Sequence, residues 1–176
     1  MTRLRLLLIE DSENDEALLL RELARCGYKV EHKRVDGEDA LRAALAQGDF
    51  DIVISDYNLP GFDVLEALRV VRRTHPDIAF LIVSGTINEE EAVEAMRAGA
   101  NDFITKRKFA RLAPVVARAL REFHMRKERD GVARALRESE LRFRQLSENI
   151  EAVFWMFSVN GDKALDYLHR RGEFAD

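Results

Sequence analysis

A chain of 176 residues with 47% hydrophobic and 34% charged residues, three prolines and nine glycines is neither collagen-like, low-complexity nor globally disordered. Its length accommodates one ordinary domain and an appendage. The formal net charge of −4 supplies no basic field for nucleic acid, and no DNA-binding motif stands out, so no nucleic-acid partner is expected. The single cysteine, Cys26, excludes an internal disulfide and fits a reducing compartment; among apolar neighbours it is expected to pack in the interior. The largely apolar stretch Leu4–Ile9 is too short for a membrane span or a secretory signal, and Glu10-Asp11 comes immediately after it, so a cytoplasmic chain with no membrane partner is expected.

The stretch 4–9 (LRLLLI) reads as a buried parallel strand, and Ser12 is placed to cap a helix over 14–26. A weaker strand at 28–34 and a helix at 37–47 come next, then a strong strand at 51–55 (DIVIS) and a helix at 63–74. The strand 78–83 (IAFLIV) precedes a helix at 89–98, where Asn88 leads into Glu89-Glu90-Glu91, a first turn suited to the helix dipole. A last weak strand spans 102–104, and helical character begins again at 109. Gly27, Gly48 and Gly99 stand at helix ends. Five strand-helix alternations predict a parallel sheet wrapped by helices, closed by right-handed crossovers into a doubly wound α/β sandwich. In such sheets ligands sit beyond the carboxyl ends of the strands, here just after residues 9, 55, 83 and 104.

Past Phe109 the helical character continues: 121–130 and 133–149 are strong helix formers without proline, with Gly131 as the place for an interruption. Val132, Leu136, Phe143, Leu146 and Ile150, with Ser139 as a polar break, keep a heptad-like spacing; a short two-stranded coiled coil and an ordinary amphipathic helix both satisfy it. After Ile150 the segment AVFWMFSVNGDKALDYL (152–168) places two β-prone stretches around Asn160-Gly161, a pair suited to a hairpin turn.

The strand ends gather Glu10, Asp11, Asp56, Ser84 and Lys106 on one rim. Carboxylates held this close repel one another unless a cation intervenes, and hard oxygen ligands are those Mg²⁺ prefers. An aspartate beside a divalent ion and a fixed ammonium is a plausible nucleophile for phosphoryl transfer, where catalysis is mostly positioning and charge neutralisation. Singly, Asp11 reads as a cap or loop residue and Phe103 as a strand aromatic packing the core. The joint placement of Glu10, Asp11, Asp56, Ser84 and Lys106 on one rim carries the shared-site reading.

The segments LLLIEDS, IVISDYNLPGFDVLEAL, FLIVSGT and GANDFITK, within residues 1–123, resemble a response-regulator receiver domain. That resemblance implies a flavodoxin-like five-stranded parallel sheet and a signalling module of a two-component system, not an enzyme acting on a separate substrate. It implies Asp56 as the acceptor of a phosphoryl group from a histidine kinase or phosphotransfer protein. It further implies Mg²⁺ on Asp11, Asp56 and the Asn58 carbonyl, with Glu10 assisting through water; Ser84 and Lys106 contact the phosphoryl group, and Phe103 is a switch aromatic. Receivers usually carry a cis proline after the lysine, where this chain has Arg107; a non-proline cis bond costs about 2.5–4 kcal/mol, so a trans bond is expected. Glu10 also replaces a commoner aspartate.

Residues 138–168 resemble the leading helix and first hairpin of a PAS sensor domain. The expected organisation is a receiver over 1–123, a helical linker over 124–150 and a PAS-like segment over 151–176, with a homodimer formed through the C-terminal helix or the receiver face. Two other readings share the residues. A small aspartyl-phosphate phosphatase would want an acid two residues after its nucleophile, where Asn58 stands. An adaptor would use only the coiled coil.

Overall fold

Leu6, Leu7, Leu8 and Ile9 are consecutive and all buried, which requires a strand covered on both faces. They belong to β1 (Thr2–Ile9), the second strand of a parallel five-stranded sheet completed by β2 (Tyr28–Val35), β3 (Ile52–Asp56), β4 (Ala79–Ser84) and β5 (Asp102–Thr105). The computed structural model describes residues 2–85 and 89–149. The strand order is β2-β1-β3-β4-β5, with Leu6 opposite Ile52, Ile52 opposite Ala79 and Leu81 opposite Asp102. The order reverses between β1 and β3, which puts a crevice at their carboxyl ends. The doubly wound flavodoxin-like expectation is met.

Alternate side chains of each strand feed two cores. Leu7, Ile9, Val53, Phe80 and Ile82 pack with α2 (Glu38–Gln47), α3 (Val64–Thr74) and α4 (Glu89–Arg97) through Leu41, Leu68 and Ala95. Leu6, Leu8, Ile54 and Leu81 pack on the opposite face with α1 (Glu13–Arg25) and α5 (Leu112–Asn149) through Leu19, Leu23, Val116 and Leu120.

Local chemistry sets the helix starts. Ser12 caps α1 by accepting from the Asp15 N–H at 3.3 Å, and Asp63 caps α3 by accepting from Leu65 N–H at 2.6 Å and Glu66 N–H at 3.3 Å. α5 opens as Leu112-Ala113-Pro114, where a missing N–H costs no helical bond. A small antiparallel pair, Asn58–Leu59 with Phe62–Asp63, has no counterpart among the sequence expectations. Its Pro60-Gly61 turn uses Gly61 at φ +74°, a conformation only glycine adopts cheaply.

Cys26 departs from the expectation that it is buried: it is exposed. α1 ends at Arg25, so Cys26 is the C-cap rather than a residue of the apolar stripe, and Tyr28, beyond Gly27, packs on the core instead. No peptide bond among the described residues is cis, so Lys106-Arg107 is trans as expected.

The chain divides into two units, Met1–Arg129 and Asp130–Asp176. In the second, residues up to 149 are helical, Gly131 included. Val132, Leu136 and Phe143 are exposed at 65%, 59% and 74%. The Asn88 cap, the Leu146 side chain, Ile150, the hairpin at Asn160-Gly161 and the PAS-like stretch beyond 149 lie outside the described residues. No described helix is long and apolar enough to cross a membrane.

One cation secures the turn that leads into β5. Arg72 donates to the Gly99 carbonyl at 2.8 Å, the Ile78 carbonyl at 2.6 Å and Asn101 Oδ1 at 3.0 Å; Asn101 Oδ1 in turn accepts from Phe80 N–H at 2.8 Å. Gly99 has φ +105°, and an added Cβ there would lie 3.5 Å from Arg72 Nε. Arg72→Ala should lower the unfolding free energy by about 2–3 kcal/mol by stranding these acceptors. Arg72→Lys should recover only part, because an ammonium cannot reproduce the fork. Urea denaturation of the three proteins measures this.

Candidate functional site

Only four polar or charged side chains are buried among the described residues: Glu10, Ser55, Asp56 and Ser84. Three of them stand at the carboxyl ends of strands: Glu10 directly after β1, Asp56 as the last residue of β3 and Ser84 as the last of β4. Parallel pairing in register brings these ends level, with Ile9 opposite Ser55 and Asp56 opposite Val83. Burying polar groups is costly unless they are partnered, and no buried side-chain nitrogen or oxygen among the described residues lacks a partner.

Lys106, directly after β5, supplies the central partner. Its Nζ lies 2.8 Å from Asp56 Oδ2 and 3.5 Å from Glu10 Oε2, and it also donates to Asp15 Oδ2. Glu10, Asp15 and Asp56 each offer a carboxylate oxygen within 4.8 Å of the others. Asp15, which sequence reasoning passed over, belongs to the first turn of α1, and the Ser12 cap stations that turn at the end of β1. The signal available was an acid in a capped first turn, which reads as helix-dipole chemistry.

The loop after β1 is held from beneath. Glu10 Oε1 accepts from Ser12 N–H at 3.1 Å, which turns the carboxyl inward. Arg34, on β2, donates to the Asp11 carbonyl at 3.0 Å and the Glu10 carbonyl at 3.4 Å while pairing with Glu16 at 3.0 Å. Asp11 itself is exposed and is not among the three converging carboxylates. Asn58 is exposed too, and its N–H donates to Asp56 Oδ1 at 3.4 Å. Phe103 is half-buried, one residue into β5, and packs against the core shared with α2, α3 and α4. Ser84 is aligned with Thr105 in the register of β4 and β5.

The pocket's charges pull in opposite directions. Burial pushes the Glu10 carboxyl up to about 7, with the Ser12 N–H opposing the rise and the neighbouring Asp56 adding to it. Burial alone would lower the Lys106 pKa, but hydrogen bonds to Asp15 and Asp56 and the fields of Asp56 and Glu10 outweigh it and hold the ammonium charged well above its usual range. The three oxygen donors are those a small hard dication takes, so the pocket's chemistry fits Mg²⁺.

A doubly wound sheet whose carboxyl rim gathers buried carboxylates around one lysine fits a phosphoacceptor of signalling. Residues 6–117 match the response regulator receiver domain family, and the chain belongs to that family. It is 36% identical over 116 residues to the response regulator protein FleR of Pseudomonas aeruginosa, a match covering 66% of this chain and 23% of that protein. It is 28% identical over 105 residues to the chemotaxis protein CheY-3 of Vibrio cholerae, covering 58% of this chain and 80% of that one. The crystal structure of NtrX from Brucella abortus superimposes with a TM-score of 0.65 at 30% identity, over 75% of this chain and 30% of that one. The chain thus spans under a third of FleR and NtrX and most of CheY-3.

Glu10 yields a pH test on the metal-free protein. Its folded pKa of about 7 lies above the ordinary 4.5, so between these values the folded state binds more protons than the unfolded one, and stability falls as pH rises. Below that window the penalty is absent, and above it the penalty is constant. Glu10→Gln, which keeps the acceptor for Ser12 N–H, should remove this slope. Its melting temperature should match wild type near pH 4.5 and exceed it by a few degrees at pH 8, as read by calorimetry.

Proposed function

We propose that this chain is a phosphorylation-driven switch in which Asp56 accepts a phosphoryl group from the phosphohistidine of a histidine kinase or phosphotransfer protein. The observation carrying this reading is the buried Asp56 carboxylate with the Lys106 ammonium 2.8 Å from Oδ2. Asp56 Oδ attacks phosphorus, the P–N bond breaks, and its electron pair leaves with the imidazole, which gains a proton. Lys106 neutralises charge on the transferring group, and Ser84 lies at the neighbouring strand end to meet it. Mg²⁺, when bound, neutralises phosphoryl charge; Glu10, Asp11 and Asp56 with the Asn58 carbonyl would hold it. Phe103 is the aromatic that changes position in response to Ser84. Residues 1–123 act as the receiver, 124–150 as the linker and 151–176 as the start of a PAS-like segment, in a cytoplasmic protein.

Acetyl phosphate with Mg²⁺ should raise the intact mass of the chain by one phosphoryl group. Asp56→Asn should reduce this incorporation at least about a hundredfold, because an amide cannot form the acyl phosphate. Full incorporation into the variant would move the acceptor elsewhere, and continuous turnover of a phosphomonoester by wild type would favour a phosphatase.

The linker's partner is a second copy of this chain. Val132, Leu136 and Phe143 are exposed and keep the heptad-like spacing, which supports pairing through this helix. Leu136→Glu with Phe143→Glu should weaken self-association about tenfold or more in sedimentation, with or without the phosphoryl group. Unchanged association would assign the dimer to the receiver face.

A further inference from the structure

The Lys106 ammonium has three donors, and two of them serve carboxylates on different elements: Asp56 at the end of β3 and Asp15 in α1. Asp15 is one of the three carboxylates that could face a cation, but the transfer step and the Mg²⁺ ligands proposed above give it no role; its side chain keeps 35% of its exposure against 8% for Asp56. We propose that Asp15 sets the phosphoryl affinity of the site by competing with the phosphoryl group for the Lys106 ammonium. This rests on Asp56 being the acceptor.

In the resting pocket one ammonium is shared by Asp15 and Asp56, with Glu10 at 3.5 Å. When Asp56 Oδ bonds to phosphorus it becomes the bridging oxygen of an acyl phosphate, and the negative charge that Lys106 felt on Asp56 passes to the terminal phosphoryl oxygens. Asp15 keeps its carboxylate throughout. Lys106 must then divide its charge and donors between the Asp15 carboxylate and the phosphoryl oxygens, and Asp15 adds like-charge repulsion toward the dianionic group. Both effects penalise the phosphorylated state and act in the same direction. Asp15 is accordingly a positioning residue: it acts through Lys106 and through the field in the pocket. Its role in the α1 cap is carried by its backbone N–H, which side-chain replacement leaves in place.

The test uses the full chain at saturating Mg²⁺, with trifluoroberyllate as the phosphoryl stand-in on the acceptor carboxylate. Isothermal titration gives its affinity for wild type, Asp15→Asn and Asp15→Glu, and fluorine NMR reports the contact between Lys106 and bound fluorine. Asp15→Asn should bind about tenfold more tightly, the ratio that accompanies about 1.4 kcal/mol, and should shift the fluorine resonance. Asp15→Glu should restore affinity toward wild type. Equal affinity of wild type and Asp15→Asn, or weaker binding by Asp15→Asn, overturns the proposal while leaving Asp56 as acceptor. A wild-type chain that takes neither trifluoroberyllate nor a phosphoryl group from acetyl phosphate overturns the reading of Asp56 and this inference with it.

Discussion

Three carboxylates converge on one ammonium at the end of a buried sheet, and the molecule is organised around tolerating that excess of negative charge. Removing a charge from water costs several kcal/mol unless it is paired, so a pocket with one cation for three acids is under electrostatic tension. The cost surfaces at Glu10, whose carboxyl is pushed up to about 7 mainly by burial, with Asp56 and Asp15 adding to the rise, although Lys106 lies 3.5 Å away. A site built this way has a standing demand for positive charge. That demand suits it to a hard dication, and it suits it to chemistry that moves charge off one carboxylate onto a neighbouring group.

Nothing else in the fold needs to be unusual. The inner strands β1, β3 and β4 carry consecutive apolar residues covered on both faces, and their shared register levels the ends where Glu10, Asp56 and Ser84 emerge. The supports that matter are polar. Arg34 holds the carbonyls of the Glu10-Asp11 loop, and Arg72 with Asn101 fixes the turn that delivers β5 and hence Lys106. Two arginines, one on β2 and one on α3, thus set backbone positions, while the acids and the lysine set the chemistry.

Most of this was legible in the sequence because it depends on periodicity and on position along the chain. Largely apolar runs at 4–9, 51–55 and 78–83 announce buried strands, and the polar residues at the end of each run fall on one rim once the sheet is parallel. The misses have a common cause, which is that they depend on direction rather than on order. Cys26 sits among apolar neighbours but lies one residue past the end of α1, where the helical stripe no longer applies. Asp15 looks like an ordinary first-turn acid until the Ser12 cap fixes where that turn lies. The Asn58–Asp63 pair hinges on a positive φ at Gly61, and its strands of two residues are too short to show periodicity.

The placement of Asp11 and Glu10 shows how one backbone bond can divide labour between adjacent acids. The Ser12 N–H donates to the Glu10 carboxyl, and Arg34 pins both carbonyls, so the two side chains leave the loop in different directions. Glu10 turns inward to the ammonium, and Asp11 stays in solvent. The Glu10 carboxyl folds back onto its own loop with one oxygen and comes within 3.5 Å of Lys106 with the other. Glu10 therefore shares the Lys106 ammonium with Asp15 and Asp56, and Asp11 does not. The inward acid is bound to the loop that also carries Asp11, so any shift of that loop is felt at the Glu10 carboxyl.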